Sequence, residues 1–132
     1  MDVTIVSPER NVWRGEADMV VGRSPEGEFG IMRGHIPFLA ALVPGRVTVI
    51  SGGDRDELFV PGGFLESSGT MDDYHVIVLA DDAESLEEID VAEARRALEE
   101  ARRRREEQTD ELAEAEMRIA MARVEIAESR GG

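Results

Sequence analysis

Apolar residues in the first two thirds of the chain come in short runs with the near-alternating character of half-buried strands. The runs are Val3 to Val6, Val12 to Arg14, Met19 to Val21, Phe29 to Met32, Phe38 to Leu42, Arg46 to Ile50, Leu58 to Val60, Phe64 to Glu66 and Tyr74 to Leu79. Ser7-Pro8, Ser24-Pro25-Glu26-Gly27, Pro44-Gly45, Gly52-Gly53-Asp54, Pro61-Gly62-Gly63 and Gly69 separate nearly all of them. Each break supplies a fixed or positive φ that strand residues avoid. About nine or ten strands in so short a stretch close one core only as two packed sheets or a flattened barrel, so an antiparallel β-sandwich of about ten strands is predicted.

The punctuation then stops. All five prolines and eleven of the 13 glycines lie in residues 1–69, and residues 70–130 contain neither. Ser85 precedes Glu88 by three residues and Asp90 precedes Glu93 likewise, two overlapping capping signals that start a helix near Asp90. Val91, Ala94, Ala97, Leu98 and Ala101 mark one face, and Ala113, Met117, Ala120, Val124 and Ala127 repeat at steps of four and three. Two alanine-lined faces suit a closely packed antiparallel hairpin, with Thr109 and Asp110 opening its second helix. A single continuous helix is the alternative; at 1.5 Å per residue, about 40 residues would reach roughly 60 Å and leave the apolar stripe wet. The fold class is therefore α+β, with a sandwich over residues 1–84 and a helical hairpin over 85–132.

Charge changes the picture next. The chain carries 29 acids against 15 basic residues, a formal net of −14, which disfavours nucleic acid and anionic lipid as partners. Every basic residue is arginine, so a phosphate-loop lysine, a Schiff-base nucleophile and a lysine base are excluded. With no cysteine there is no disulfide, thiolate nucleophile or cysteine-bound zinc. Met1 is followed by Asp2 and a strand-like run, without the basic start and apolar stretch of a signal peptide. The longest apolar run, Ile36 to Pro44, is less than half of a membrane span, so direct membrane insertion is not expected.

Candidate chemistry is sparse. Trp13 reads as core or interface packing rather than a ligand platform. His35 and His75 lack metal-ligand spacing, Asp72-Asp73 and Asp81-Asp82 read as solvated turn acids, and Ser24 lacks the glycine spacing of a nucleophile elbow. No catalytic constellation, cofactor or metal site is indicated.

The ordered strings S-P-E-R at Ser7, G-E-F-G-I-M-R-G-H-I-P-F-L-A from Gly27 to Ala40, P-G-G-F-L-E from Pro61 to Glu66 and V-L-A-D-D-A-E from Val78 to Glu84 carry more information. Together they closely resemble the epsilon subunit family of the F-type ATP synthase, which usually has proline where this chain has Arg33. The resemblance implies a non-catalytic rotor subunit: a sandwich bound to the gamma subunit and seated on the c-subunit ring, followed by two helices that contact the catalytic alpha and beta subunits and restrain ATP hydrolysis. It implies a place at the cytoplasmic face of a bacterial membrane, peripheral through the complex. By motif alignment it implies a loop at Glu28, Phe29, Gly30, Arg33, Gly34 and His35 that faces the c ring.

Arg102, Arg103, Arg104 and Arg105 form a run that would either grip the catalytic subunits or pair internally at i,i+4 with Glu99, Glu100, Glu106 and Glu107. Many members of the family bind ATP through an I/L-D-x-x-R-A motif, whose opening Ile89 and Asp90 match. Glu93 stands where its arginine belongs, and a carboxylate there would repel a triphosphate, which argues against ATP sensing. The rival from another class is a free-standing adaptor or chaperone-like module that engages client proteins through the hairpin.

Overall fold

The computed structural model describes residues 1–129. Ten strands lead into two helices: β1 (Asp2–Val6), β2 (Asn11–Glu16), β3 (Met19–Ser24), β4 (Gly27–Met32), β5 (Phe38–Leu42), β6 (Gly45–Ser51), β7 (Asp54–Val60), β8 (Gly63–Thr70), β9 (Asp73–Ala80), β10 (Glu84–Ser85), α1 (Val91–Glu107) and α2 (Glu111–Ser129). One sheet has the order β2-β1-β9-β8-β5, the other β10-β7-β6-β3-β4. Between them lies a core that includes Val3, Ile5, Val20, Ile31, Val49, Leu65, Val76 and Val78, each at most 1% exposed. Alternation explains the choice: Val76 and Val78 point inward while their neighbours Ile77 and Leu79 point out.

The strands exceed their apolar runs, because polar arms such as Asp54–Asp56 and Ser68–Thr70 continue the hairpin ladders past the core. One ladder departs from the antiparallel expectation. β1 pairs with β9 in parallel, Asp2 opposite His75 through Val6 opposite Leu79, although its other neighbour β2 is antiparallel. No short turn dictates that pairing; β1 fills a slot made by a strand about 70 residues away, and its direction follows from the chain's passage through both sheets.

Aromatic residues close both open edges of the sandwich. At one, Phe29 of β4 and Phe38 of β5 bring their rings to 5.1 Å. At the other, Trp13 of β2 packs on the core and donates its Nε1–H to Asp56 Oδ2 at 2.8 Å, joining the two sheets.

The helices form the predicted hairpin, and it makes a third layer. Asp90 caps α1 by accepting from the Glu93 amide at 3.1 Å, and Asp110 caps α2 by accepting from Ala113 at 2.8 Å. The Ser85 signal is spent differently: its side chain makes no cap, and Leu86–Glu88 form one 3-10 turn. All five predicted stripe residues of α2 are buried, with Ala94 and Ala101 opposite on α1. Phe59 points away from the sandwich core and is buried with Leu86, Ile89, Ala94, Val124 and Ala127 in a second core under the hairpin.

Gly63 tests the packing of β8 on β9. It adopts φ +139°, and a Cβ there would stand 2.1 Å from the Leu79 carbonyl oxygen. Gly63→Ala is expected to destabilise the chain by about 2 kcal/mol or more, measured by urea unfolding. Gly53→Ala, which meets open space, should stay within about 0.5 kcal/mol of the parent.

Candidate functional site

The Gly27–His35 motif is not one loop. Residues 27–32 form β4, the edge strand of its sheet, and only 33–37 are irregular. Glu28 is exposed opposite Arg23, four residues and about 13 Å along the strand from Met32. It lines a crevice with Arg46 and with Ala122 and Glu125 of α2. Phe29 turns inward against Phe38 and the core. Gly30 leaves room for Met19, whose Cε would lie 2.3 Å from a Cβ at that position. Arg33 and Gly34 are exposed at the end of the sandwich, and half-buried His35 stands edge-on to Phe38, with ring centroids 5.5 Å apart. The structure thus brings Arg33, Gly34 and His35 together and separates them from Glu28.

The arginine run is paired in a way its spacing did not foretell. Arg104 reaches Glu116 at 3.1 Å and Arg105 reaches Glu114 at 3.9 Å, both across the hairpin, while Arg102 pairs with Glu99 one turn back. The expected i,i+4 pairs give way because the facing helix offers carboxylates at the same level. Arg95 and Glu128 add a cross-helix pair at 3.4 Å near the other end of the hairpin. Arg103 points to solvent.

Glu93 has a structural role. Its carboxylate lies 2.7 Å from Arg123 Nη1 on α2, and Arg123 also donates through Nε and Nη2 to Glu84 on β10. One guanidinium therefore ties both helices to the sandwich, with its side chain only 18% exposed. The Glu84 hydrogen bond is the main reason its pKa is raised; burial pulls the other way, and Glu93 adds to the rise. A raised basic pKa stabilises at every pH below the unfolded value, already far above neutrality, so the arginine stays charged throughout the physiological range. Ile89 is 1% exposed in the second core and the Asp90 carboxylate caps α1, so both residues of the nucleotide motif have structural occupations. The adjacent crevice is lined by Asp82, Glu84 and the engaged Arg123, a poor reception for a triphosphate.

The outer face of the β2-β1-β9-β8-β5 sheet was missed. Leu39, Phe64, Ile77 and Leu79 are 69%, 56%, 38% and 55% exposed. Phe64 stands opposite Leu79 on one side and Ala41 on the other, and Glu66 opposite Leu39 and Ile77, so these residues form one surface. A sequence signal existed: β9 reads Y-H-V-I-V-L, apolar on both faces where a solvated sheet would alternate. Among the described residues no helix is long and apolar enough to cross a membrane.

Residues 1–86 match the family model of the ATP synthase delta/epsilon chain beta-sandwich domain. The ATP synthase epsilon chain of Thermobifida fusca is 45% identical over 124 residues, covering 92% of this chain and 84% of that one. This chain belongs to the ATP synthase epsilon family. The epsilon chain of Myxococcus xanthus is 39% identical over 127 residues, covering 96% of this chain and 90% of its own length. Among solved structures, a chain of the Euglena gracilis mitochondrial ATP synthase, in an assembly of OSCP, F1 and c-ring, superposes with a TM-score of 0.76 at 30% identity. That match covers 96% of this chain and 78% of the other. A chain from the central stalk and c-ring of the Tetrahymena thermophila mitochondrial enzyme shares the fold, with a TM-score of 0.65 at 12% identity over 96% and 95% of the two chains.

The Arg123 clamp yields a direct expectation. Arg123→Met should loosen the hairpin by about 1–2 kcal/mol, a figure kept small because Glu84 and Glu93 are partly solvated. Hydrogen exchange should quicken in α1 and α2 and stay unchanged in β8 and β9. Equal protection in the variant helices would show that the clamp contributes nothing.

Proposed function

We propose that this epsilon-family chain is a non-catalytic central-stalk subunit of an F-type ATP synthase, coupling c-ring rotation to the catalytic head. The observation that carries this reading is the asymmetry of the sandwich. One sheet has its outer face covered by the hairpin, and the other exposes Leu39, Phe64, Ile77 and Leu79 around Glu66, a largely apolar surface of the kind that marks a protein partner. The gamma subunit seats on that face. The end loop with Arg33, Gly34 and His35 meets the c ring, with Glu28 contributing from the flank. The protein is then peripheral at the cytoplasmic face of the membrane, held there through the complex.

In this reading the chain divides near residue 84 into an assembly unit and a regulatory hairpin that restrains ATP hydrolysis by reaching the alpha and beta subunits. Opening the hairpin would release Arg104, Arg105 and Arg123 from Glu116, Glu114 and Glu93, and the freed arginines would pair with the catalytic subunits instead. The two states exchange one set of ion pairs for another, so the difference between them is small enough for rotor position to shift. An adaptor role would need the hairpin's apolar stripe free; it is buried on Phe59 and on itself.

Phe64→Glu places a charge at the centre of the exposed face without touching the core. It should cost about tenfold or more in affinity for the purified gamma subunit, measured by calorimetry, with an unchanged melting temperature. Unaltered affinity would rule out this face as the seat. A chain ending at Asp90, which keeps Leu86 and Ile89 over Phe59, should still assemble with the synthase and raise its ATP hydrolysis rate. Assembly without that rise would remove the inhibitory role alone.

A further inference from the structure

Arg33 and Met71 lie 38 residues apart in sequence and meet at one end of the sandwich, where Arg33 Nη1 donates to the Met71 carbonyl at 3.3 Å. Gly34 makes the meeting closer still. It adopts φ +86°, and a Cβ there would lie 2.3 Å from the Met71 sulfur, so the methionine occupies space that only glycine leaves open. The rest of the 33–37 loop is anchored as well. The His35 amide donates to the Met32 carbonyl at 3.1 Å, and the hydroxyl of buried Tyr74 lies 3.4 Å from the Ile36 carbonyl. Two connections, the β4–β5 loop and the β8–β9 turn, thus meet in one platform.

This platform is apolar in a strongly acidic chain. Met32, Ile36 and Met71 are 55%, 75% and 62% exposed, among the largest exposures of any apolar side chain. They flank Arg33 along the chain or across the turn, and its guanidinium spends one of its five donors on the Met71 carbonyl. Two flexible methionines and an isoleucine exposed beside one cation suit a protein surface that can cover them. Arg33 and Gly34 belong to the end loop assigned above to the c ring, and the Met71 turn touches both, so it lies in the same surface.

We propose that the Met71 turn is part of the surface this chain presents to the c ring, and that Arg33 is the positioning residue that fixes it there. The inference rests on the ring-contact reading above and extends it to a turn outside the Gly27–Ala40 motif. It also gives Arg33 a role that proline could not fill, since proline has no side-chain donor.

The test measures binding of the full chain to purified c ring in detergent, for the parent, Met71→Ser, Arg33→Met, the double variant and Met121→Ser. The last changes an exposed methionine on α2 and serves as the control. Met71→Ser should weaken ring binding about tenfold, and Met121→Ser should not. If Arg33 positions Met71, the Met71→Ser loss should shrink in the Arg33→Met background. Gamma binding and melting temperature should be unchanged in all variants. A parent that binds the ring while Met71→Ser binds equally well overturns the role of Met71 alone; additive losses overturn the positioning role of Arg33. A parent with no affinity for the ring removes the ring-contact reading itself, and this proposal with it.

Discussion

Phe59 is the residue on which the three-layer arrangement turns. On β7 its neighbours Leu58 and Val60 face the sandwich core, so strand alternation sends Phe59 out of the other side of the sheet, yet it is 3% exposed. Its cover comes from Leu86 and Ile89, which follow β10, and from Ala94, Val124 and Ala127 of the helices. A large aromatic facing outward makes a bare sandwich incomplete, and a hairpin lined with alanine has too little apolar area to stand alone. Each unit supplies what the other lacks. The attachment is nevertheless small beside the sandwich core, so the hairpin should open before the sandwich does.

Polar contacts supply direction to that attachment. Arg123 faces Glu84 on one side and Glu93 on the other, so it defines how α1, α2 and β10 sit together, whereas alanine contacts alone would tolerate sliding. The pairs Arg104–Glu116, Arg105–Glu114 and Arg95–Glu128 set the register of the two helices along their length. Exposed pairs of this kind contribute little stability each. Their value is in fixing the relative position of the two helices, at an energy small enough that breaking any one of them costs little.

Local features of the architecture were legible in the sequence, and non-local ones were not. Strand positions followed from apolar runs and turn residues, and the helix starts from Asp90 and Asp110, because those signals act within a few residues. The parallel β1–β9 ladder, the cross-hairpin partners of Arg104 and Arg105, and the Arg123–Glu93 bond depend on segments that sequence spacing does not relate. Two-residue β10 carries no periodicity to detect. The candidate site shows the same division. Its motif was visible as a string, but pleating splits it, sending Phe29 inward and stranding Glu28 a strand's length from His35.

Where the chain departs from the family's usual pattern, its structure supplies a partner for the new residue. Glu93, in place of an arginine, finds Arg123; Arg33, in place of a proline, finds the Met71 carbonyl. Both exchanges convert a position that the resemblance connects with an outside molecule into a tie between two segments of this chain. At Glu93 the tie joins the start of α1 to Arg123 of α2, so the two helices are held together by a side chain of this chain. At Arg33 the tie links the β4–β5 loop to the β8–β9 turn, and each such link restricts the loop it holds. A stiffer end loses less conformational freedom on meeting a partner, so more of the contact energy appears as affinity.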